Sequence, residues 1–157
     1  MRILVAEDNP INVMLITIIL ERMGYRVDVA GNGLEVIAAL QRQPYDVVLM
    51  DVQMPEMDGI EATRQIYLKW RAGQRPRIIA LTAGVMPEER QACLDAGIEE
   101  FLSKPMEPAQ LVQALERCRR IEAEFRPASD TKALIQAHSA KVGADRRHFD
   151  RKRHRPT

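Results

Sequence analysis

Short apolar runs rich in β-branched residues alternate along this chain with longer stretches of helical periodicity. Ile3-Leu4-Val5-Ala6 is wholly apolar and ends on Glu7-Asp8. Asn9 suits a helix N-cap and Pro10 the first helical position, so a helix is predicted from there to about Met23, where Gly24 stops it. Residues 26–30 alternate polar and apolar, as an edge strand does, and Gly31-Asn32-Gly33 turns the chain. A helix is predicted over 34–42, ended by Pro44. Residues 46–51 form a second apolar run closed by Asp51, and after the loop 53–58 a helix follows from Gly59 to about Arg71. A third apolar run, 77–81, reaches Thr82. Residues 88–95 read as a helix stopped by Gly97, and 99–103 as a short strand before Lys104-Pro105. Pro108 opens a last helix through Leu111, Leu115 and Cys118 to about Phe125.

This βαβαβαβαβα order implies an α/β fold, a parallel sheet with helices on both faces. The all-apolar strands at 3–6, 46–50 and 78–81 are expected at its centre, buried on both sides. Four strands end in residues that make poor core: Glu7 and Asp8, Asp51, Thr82 and Lys104. In an open parallel sheet all carboxyl ends share one edge, so these groups should converge in one crevice. Three clustered carboxylates repel unless a cation joins them. Mg²⁺ suits them best, because it takes one or two carboxylates, keeps waters and welcomes a phosphate oxygen. Lys104 supplies a point charge for a second anionic oxygen, and Thr82 can donate to a third. Asp51 then lies where a carboxylate nucleophile would meet a phosphoryl group.

Composition narrows the picture only a little. The chain has 157 residues, 46% hydrophobic and 29% charged, which excludes a fibrous or wholly disordered protein. Its net charge of +1 hides an acidic body and a basic tail. Residues 1–118 carry 12 basic and 17 acidic side chains, whereas 119–157 carry 11 and 5. Cys93 and Cys118 have no metal-ligand spacing and fit a reduced, cytoplasmic protein with two small buried side chains. No signal peptide or membrane span is expected. The domain division is expected at 1–120, with 121–157 as a basic C-terminal extension, partly helical or disordered. A helix over 130–141 is one expectation within that extension, and contact with an acidic partner, nucleic acid or the domain's own acidic body is another. A DNA-binding output domain is not expected after Arg119.

The stretches Leu4-Val5-Ala6-Glu7-Asp8-Asn9-Pro10, Met50-Asp51-Val52-Gln53-Met54-Pro55-Glu56-Met57-Asp58-Gly59, Ala80-Leu81-Thr82-Ala83 and Leu102-Ser103-Lys104-Pro105 resemble the receiver domain of response regulators in two-component phosphorelay signalling, most of all receivers of hybrid histidine kinases. The resemblance spans about residues 1–120 and implies a flavodoxin-like, doubly wound five-stranded sheet of order 2-1-3-4-5 with five helices. It implies Asp51 as phosphoacceptor, with Mg²⁺ (or Mn²⁺) held by Asp8 and Asp51, by Glu7 through water and by the backbone carbonyl of Gln53. It implies Thr82 as the switch hydroxyl, Lys104 as partner of the acyl phosphate, and Phe101 in the place of the rotating aromatic, without a hydroxyl. Ala83 leaves room for the phosphoryl group. The partners implied are a histidine kinase or a histidine phosphotransfer protein as donor and a downstream protein as target, with homodimerisation left open. Such a chain is not an enzyme beyond its own Mg²⁺-dependent autophosphorylation and autodephosphorylation.

The first helix is apolar almost all round, although a helix lying on a sheet buries one stripe. Placing Leu15, Ile16, Ile19 and Leu20 on the sheet leaves Val13, Met14 and Ile18 outward, as a surface for docking the phosphodonor. Two other classes fit the sequence less well. An aspartyl-phosphate phosphatase needs a second Asp two residues after the nucleophile, and that place is Gln53. A phosphorylation-independent pseudo-receiver goes with lost acidic residues, and none is lost here. His138 to Ala144 faintly resembles a histidine phosphotransfer motif, but its Lys–Gly spacing is off by one.

Overall fold

The computed structural model describes residues 1–84 and 86–125, with side chains to Ile121. Five strands, β1 (Arg2–Ala6), β2 (Arg26–Ala30), β3 (Val47–Asp51), β4 (Arg77–Thr82) and β5 (Glu100–Ser103), alternate with α1 (Pro10–Arg22), α2 (Gly33–Arg42), α3 (Gly59–Lys69), α4 (Pro87–Ala96) and α5 (Pro108–Phe125). All strand pairs are parallel and the order is β2-β1-β3-β4-β5. The compact unit that carries the sheet is Met1–Cys118. The expected helix at 130–141, the basic run near the C-terminus and the His138 motif lie outside the described residues.

The termini of the helices follow local chemistry. The Asn9 side chain accepts from the Ile11 amide at 3.0 Å, Asn32 caps α2 through the Glu35 amide, and Asp58 caps α3 through the Glu61 amide at 2.8 Å. Asn32 therefore does more than turn the chain: it starts α2 one residue ahead of the expected Leu34. The third helix stops two residues short of Arg71, because Trp70 leaves the helical region (φ −116°, ψ 140°). Gly97, at φ +116°, closes α4 in the left-handed conformation that disfavours a side chain.

Alternation along the strands splits the core into two layers. Leu4, Ala6, Val48, Met50, Ile78 and Ala80 pack against α2, α3 and α4. Ile3, Val5, Val47, Leu49, Ile79 and Leu81 pack against α1 and α5. The three all-apolar strands thus sit at the centre and β2 at the edge, as the pattern predicts.

The structure rotates the expected outward face of α1. Successive residues turn by about 100°, so the stripe on the sheet is built around buried Ile16 and Leu20 with half-buried Asn12, Val13 and Ile19. Val13 therefore faces partly inward, and Leu15 points away from the sheet. The outward apolar stripe is Ile11 (70% exposed), Met14 (59%), Leu15 (43%) and Ile18 (42%). Their spacing of i, i+3, i+4 and i+7 makes one continuous face.

Candidate functional site

Sheet register brings the polar residues together. Ala6 pairs with Met50, so Glu7 follows β1 beside Asp51 at the end of β3. Asp51 pairs with Leu81 and Thr82 with Ser103, so Thr82 and Lys104 lie next along the same edge. The backbone ties these ends down: the Glu7 amide donates to the Ala30 carbonyl at 3.0 Å and the Lys104 amide to the Thr82 carbonyl at 2.7 Å. The Lys104–Pro105 peptide bond is cis. Asp51 continues the phase of Val47 and Leu49, on the α1 and α5 side. Thr82 continues the phase of Ile78 and Ala80, on the side of α4.

Lys104 Nζ lies 2.7 Å from Glu7 Oε2 and 3.0 Å from Asp51 Oδ2. The other Glu7 oxygen accepts from the Asn9 amide at 3.2 Å and from Asn12 Nδ2 at 3.3 Å. Asp51 Oδ1 accepts from the Gln53 amide at 3.2 Å. Glu7, Asp51 and Thr82 are buried, whereas Asp8 is exposed at the mouth. These residues, with Gln53, Ala83, Gly84 and Glu89, line a cleft of about 260 Å³.

Burial pushes the Asp51 carboxyl above the ordinary carboxylate range and the Glu7 charge adds to this, against the Lys104 hydrogen bond. Burial would lower the Lys104 ammonium, but its hydrogen bonds and charge contacts with Glu7 and Asp51 outweigh that and hold it above the usual lysine value. Each group therefore depends on the others' charges.

Carboxylate oxygens of Glu7, Asp8 and Asp51 lie within 4.8 Å of one another. An all-oxygen donor set with net charge −2, counting Lys104, fits one hard divalent cation. Two of the three carboxylates are buried, where unbalanced charge is most costly.

The structure gathers Glu7, Asp8, Asp51, Gln53, Thr82 and Lys104 at one cleft. Phe101 is half-buried against the α2–α4 layer, and the Arg90 guanidinium carbon of α4 lies 4.8 Å from its ring centre. Sequence reasoning missed Asn12, Glu89 and Arg90. Asn12 is a half-buried polar residue in the sheet-facing stripe of α1, a signal present in the sequence. Glu89 and Arg90 give no such signal, since charges in the first turns of a helix are ordinarily solvated.

Comparison with known proteins agrees with this geometry. A sequence model of the response regulator receiver domain matches residues 3–116. The sensor histidine kinase GacS of Pseudomonas protegens is 43% identical over 117 residues, which cover 73% of this chain and 13% of that protein. Hybrid signal transduction histidine kinase K of Dictyostelium discoideum is 40% identical over 121 residues, covering 73% of this chain and 10% of its own length. The chain thus spans only a small part of the curated relatives it matches. Among solved structures, the receiver domain of sensor histidine kinase PA1611 of Pseudomonas aeruginosa is 41% identical with a TM-score of 0.68, covering 74% of this chain and 94% of that one. That neighbour holds a magnesium ion in its active-site cleft. The chemotaxis protein CheY4 of Vibrio cholerae matches with a TM-score of 0.69 at 30% identity, over 74% of this chain and 97% of its own. With that model matching most of its length and the acid, hydroxyl and ammonium groups gathered at one sheet edge, this chain belongs to the response-regulator receiver domain family.

Proposed function

We propose that this receiver takes a phosphoryl group from a phosphohistidine donor onto Asp51. The observation that carries the reading is the Lys104 ammonium 3.0 Å from Asp51, within a three-carboxylate cluster fit for a divalent ion. A carboxylate oxygen of Asp51 attacks phosphorus, the P–N bond to the donor imidazole breaks, and the bonding pair stays on the leaving nitrogen. Mg²⁺, with Mn²⁺ as substitute, would be held by Asp8 and Asp51, by Glu7 through water and by the Gln53 carbonyl, and would neutralise charge on the phosphoryl oxygens. Lys104 would follow a phosphoryl oxygen as the Asp51 charge moves outward. Thr82 would donate to another, drawing the end of β4 inward. Phe101, beneath Arg90, would respond on the α4–β5 face and shift it between two populations.

The same reading assigns the outward stripe Ile11, Met14, Leu15 and Ile18 to docking of the donor's histidine-bearing helices, with Val13 at its edge. We place the receiver at 1–120, treat 121–157 as a basic extension and assign the chain to the cytoplasm. A histidine kinase or phosphotransfer protein is the donor and a protein is the target. No helix among the described residues is long and apolar enough to cross a membrane.

Intact mass after incubation with acetyl phosphate, with and without Mg²⁺, tests the reading. A Mg²⁺-dependent gain of about 80 Da, absent in Asp51→Asn, is expected. A folded protein that gains no mass from acetyl phosphate or from a phosphohistidine donor would shift the assignment to a phosphorylation-independent interaction module.

A further inference from the structure

The first turn of α4 carries two acids, Glu88 and Glu89. Glu88 is exposed and answers to the positive end of the helix. Glu89 is half-buried and lines the cleft with Glu7, Asp8, Asp51 and Lys104. It also walls the adjoining groove, with Asp8, Gln53 and Asp58. Among the described residues no cation forms a salt bridge with Glu89. Charge counting then gives the consequence. Glu7, Asp8, Asp51 and Lys104 sum to −2, which one divalent ion cancels. Glu89 leaves the ion-loaded cleft at −1.

We propose that Glu89 is a specificity-determining residue, a fixed negative charge at the cleft wall that disfavours small anionic phosphodonors and reserves Asp51 for phosphohistidine presented by a protein. The inference rests on Asp51 being the phosphoacceptor. Acetyl phosphate approaches as a dianion, and the Glu89 charge on the cleft wall opposes the attraction of the ion and Lys104. In that reaction an Asp51 oxygen bonds phosphorus, the P–O bond to the acetyl group breaks, and acetate leaves with the bonding pair. Phosphoramidate presents the same phosphoryl group beside an ammonium, with one negative charge fewer. A protein donor brings apolar surface for the α1 stripe, and that binding offsets the repulsion.

The test compares Glu89→Gln and Glu89→Lys with the native chain, by rate of mass gain with acetyl phosphate and with phosphoramidate in saturating Mg²⁺ across a salt series. Circular dichroism confirms folding. Removing one charge opposite a dianion should raise the acetyl phosphate rate about fivefold and the phosphoramidate rate about twofold, with a larger gain for Lys. Added salt should accelerate the native chain with acetyl phosphate, and the Gln variant less. Independently of turnover, inorganic phosphate titrated into the Mg²⁺-loaded protein and followed by ³¹P NMR should bind the Gln variant several-fold more tightly. Equal acceleration with both donors, or unchanged phosphate affinity, overturns the role of Glu89 and leaves Asp51 as acceptor. Absence of mass gain from every donor, a phosphohistidine protein included, overturns the Asp51 reading and the selectivity with it.

Discussion

Gly59 tests how rigidly the fold presents Asp51. It opens α3, is buried, and its amide donates to the Val52 carbonyl at 2.9 Å. A Cβ placed there would lie 2.8 Å from Met50 Cγ and closer still to the carbonyl oxygen of Asp51. That oxygen cannot retreat easily, because β3 is buried along its whole length and paired with β1 and β4. In Gly59→Ala the first turn of α3 must shift instead, straining the Asp58 cap. Overpacking of this kind costs about 1–3 kcal/mol. Alanine's advantage over glycine within a helix recovers up to about 1 kcal/mol. The net loss is then up to about 3 kcal/mol and centred on about 1–2 kcal/mol, and that centre corresponds to roughly 4–16 °C in Tm for a domain near 100 residues. Two other glycines separate clash from backbone strain. Gly24, at φ +87°, has open space around it, so alanine there costs about 1 kcal/mol of strain alone. Gly73 has open space and no left-handed φ, so alanine there should be neutral or stabilising by up to about 1 kcal/mol. Thermal unfolding by circular dichroism should therefore rank Gly59→Ala below Gly24→Ala and both below Gly73→Ala. A Gly59→Ala midpoint equal to that of Gly73→Ala would refute the close-approach argument.

Three further outcomes are expected. Because burial raises the Asp51 carboxyl, its ionised form costs stability near neutral pH, so Asp51→Asn should match or exceed the native chain in Tm without metal and gain less from added Mg²⁺; an equal Mg²⁺-induced rise in both would contradict the proposed coordination. Tyr45 donates to Asp28 Oδ2 at 2.5 Å and accepts from Gln43 Nε2 at 2.7 Å, and burial followed by the Asp28 hydrogen bond raises its phenol above 10.0. Its raised folded value means its contribution is full below the unfolded value and lost as pH rises through the folded one. Tyr45→Phe should cost about 1–3 kcal/mol at pH 8, with the gap to the native chain narrowing at alkaline pH in urea titrations; a gap that widens there would sink the assignment. Ile18→Asp, on the outer face of α1, should leave Tm within a few degrees and slow phosphotransfer from a cognate donor while sparing the reaction with acetyl phosphate; unchanged transfer kinetics would remove the docking role of that stripe.

Much of this molecule is written in local chemistry. Asn9-Pro10 starts α1, Gly97 ends α4, and the all-apolar runs ending on Glu7-Asp8, Asp51 and Thr82 mark buried central strands whose ends share one edge. Those signals are legible because caps and strand alternation depend on residues only a few positions apart, and because a parallel sheet sends every carboxyl end the same way. The motifs around Asp51 carry the family as well. Other features depend on distances that no local pattern encodes. Which flank of the all-apolar α1 meets the sheet was set by packing around Ile16 and Leu20, and this moved Val13 partly inward and Leu15 out to solvent. The 2.7 and 3.0 Å contacts of Lys104 with two carboxylates, the turn of Glu89 toward the cleft and the seat of Arg90 over Phe101 arise only when separate elements close on one another. Sequence determines which groups reach the edge of the sheet, because that follows from strand direction. Tertiary packing decides which of their charges face each other, because that depends on how the helices rotate and settle against it.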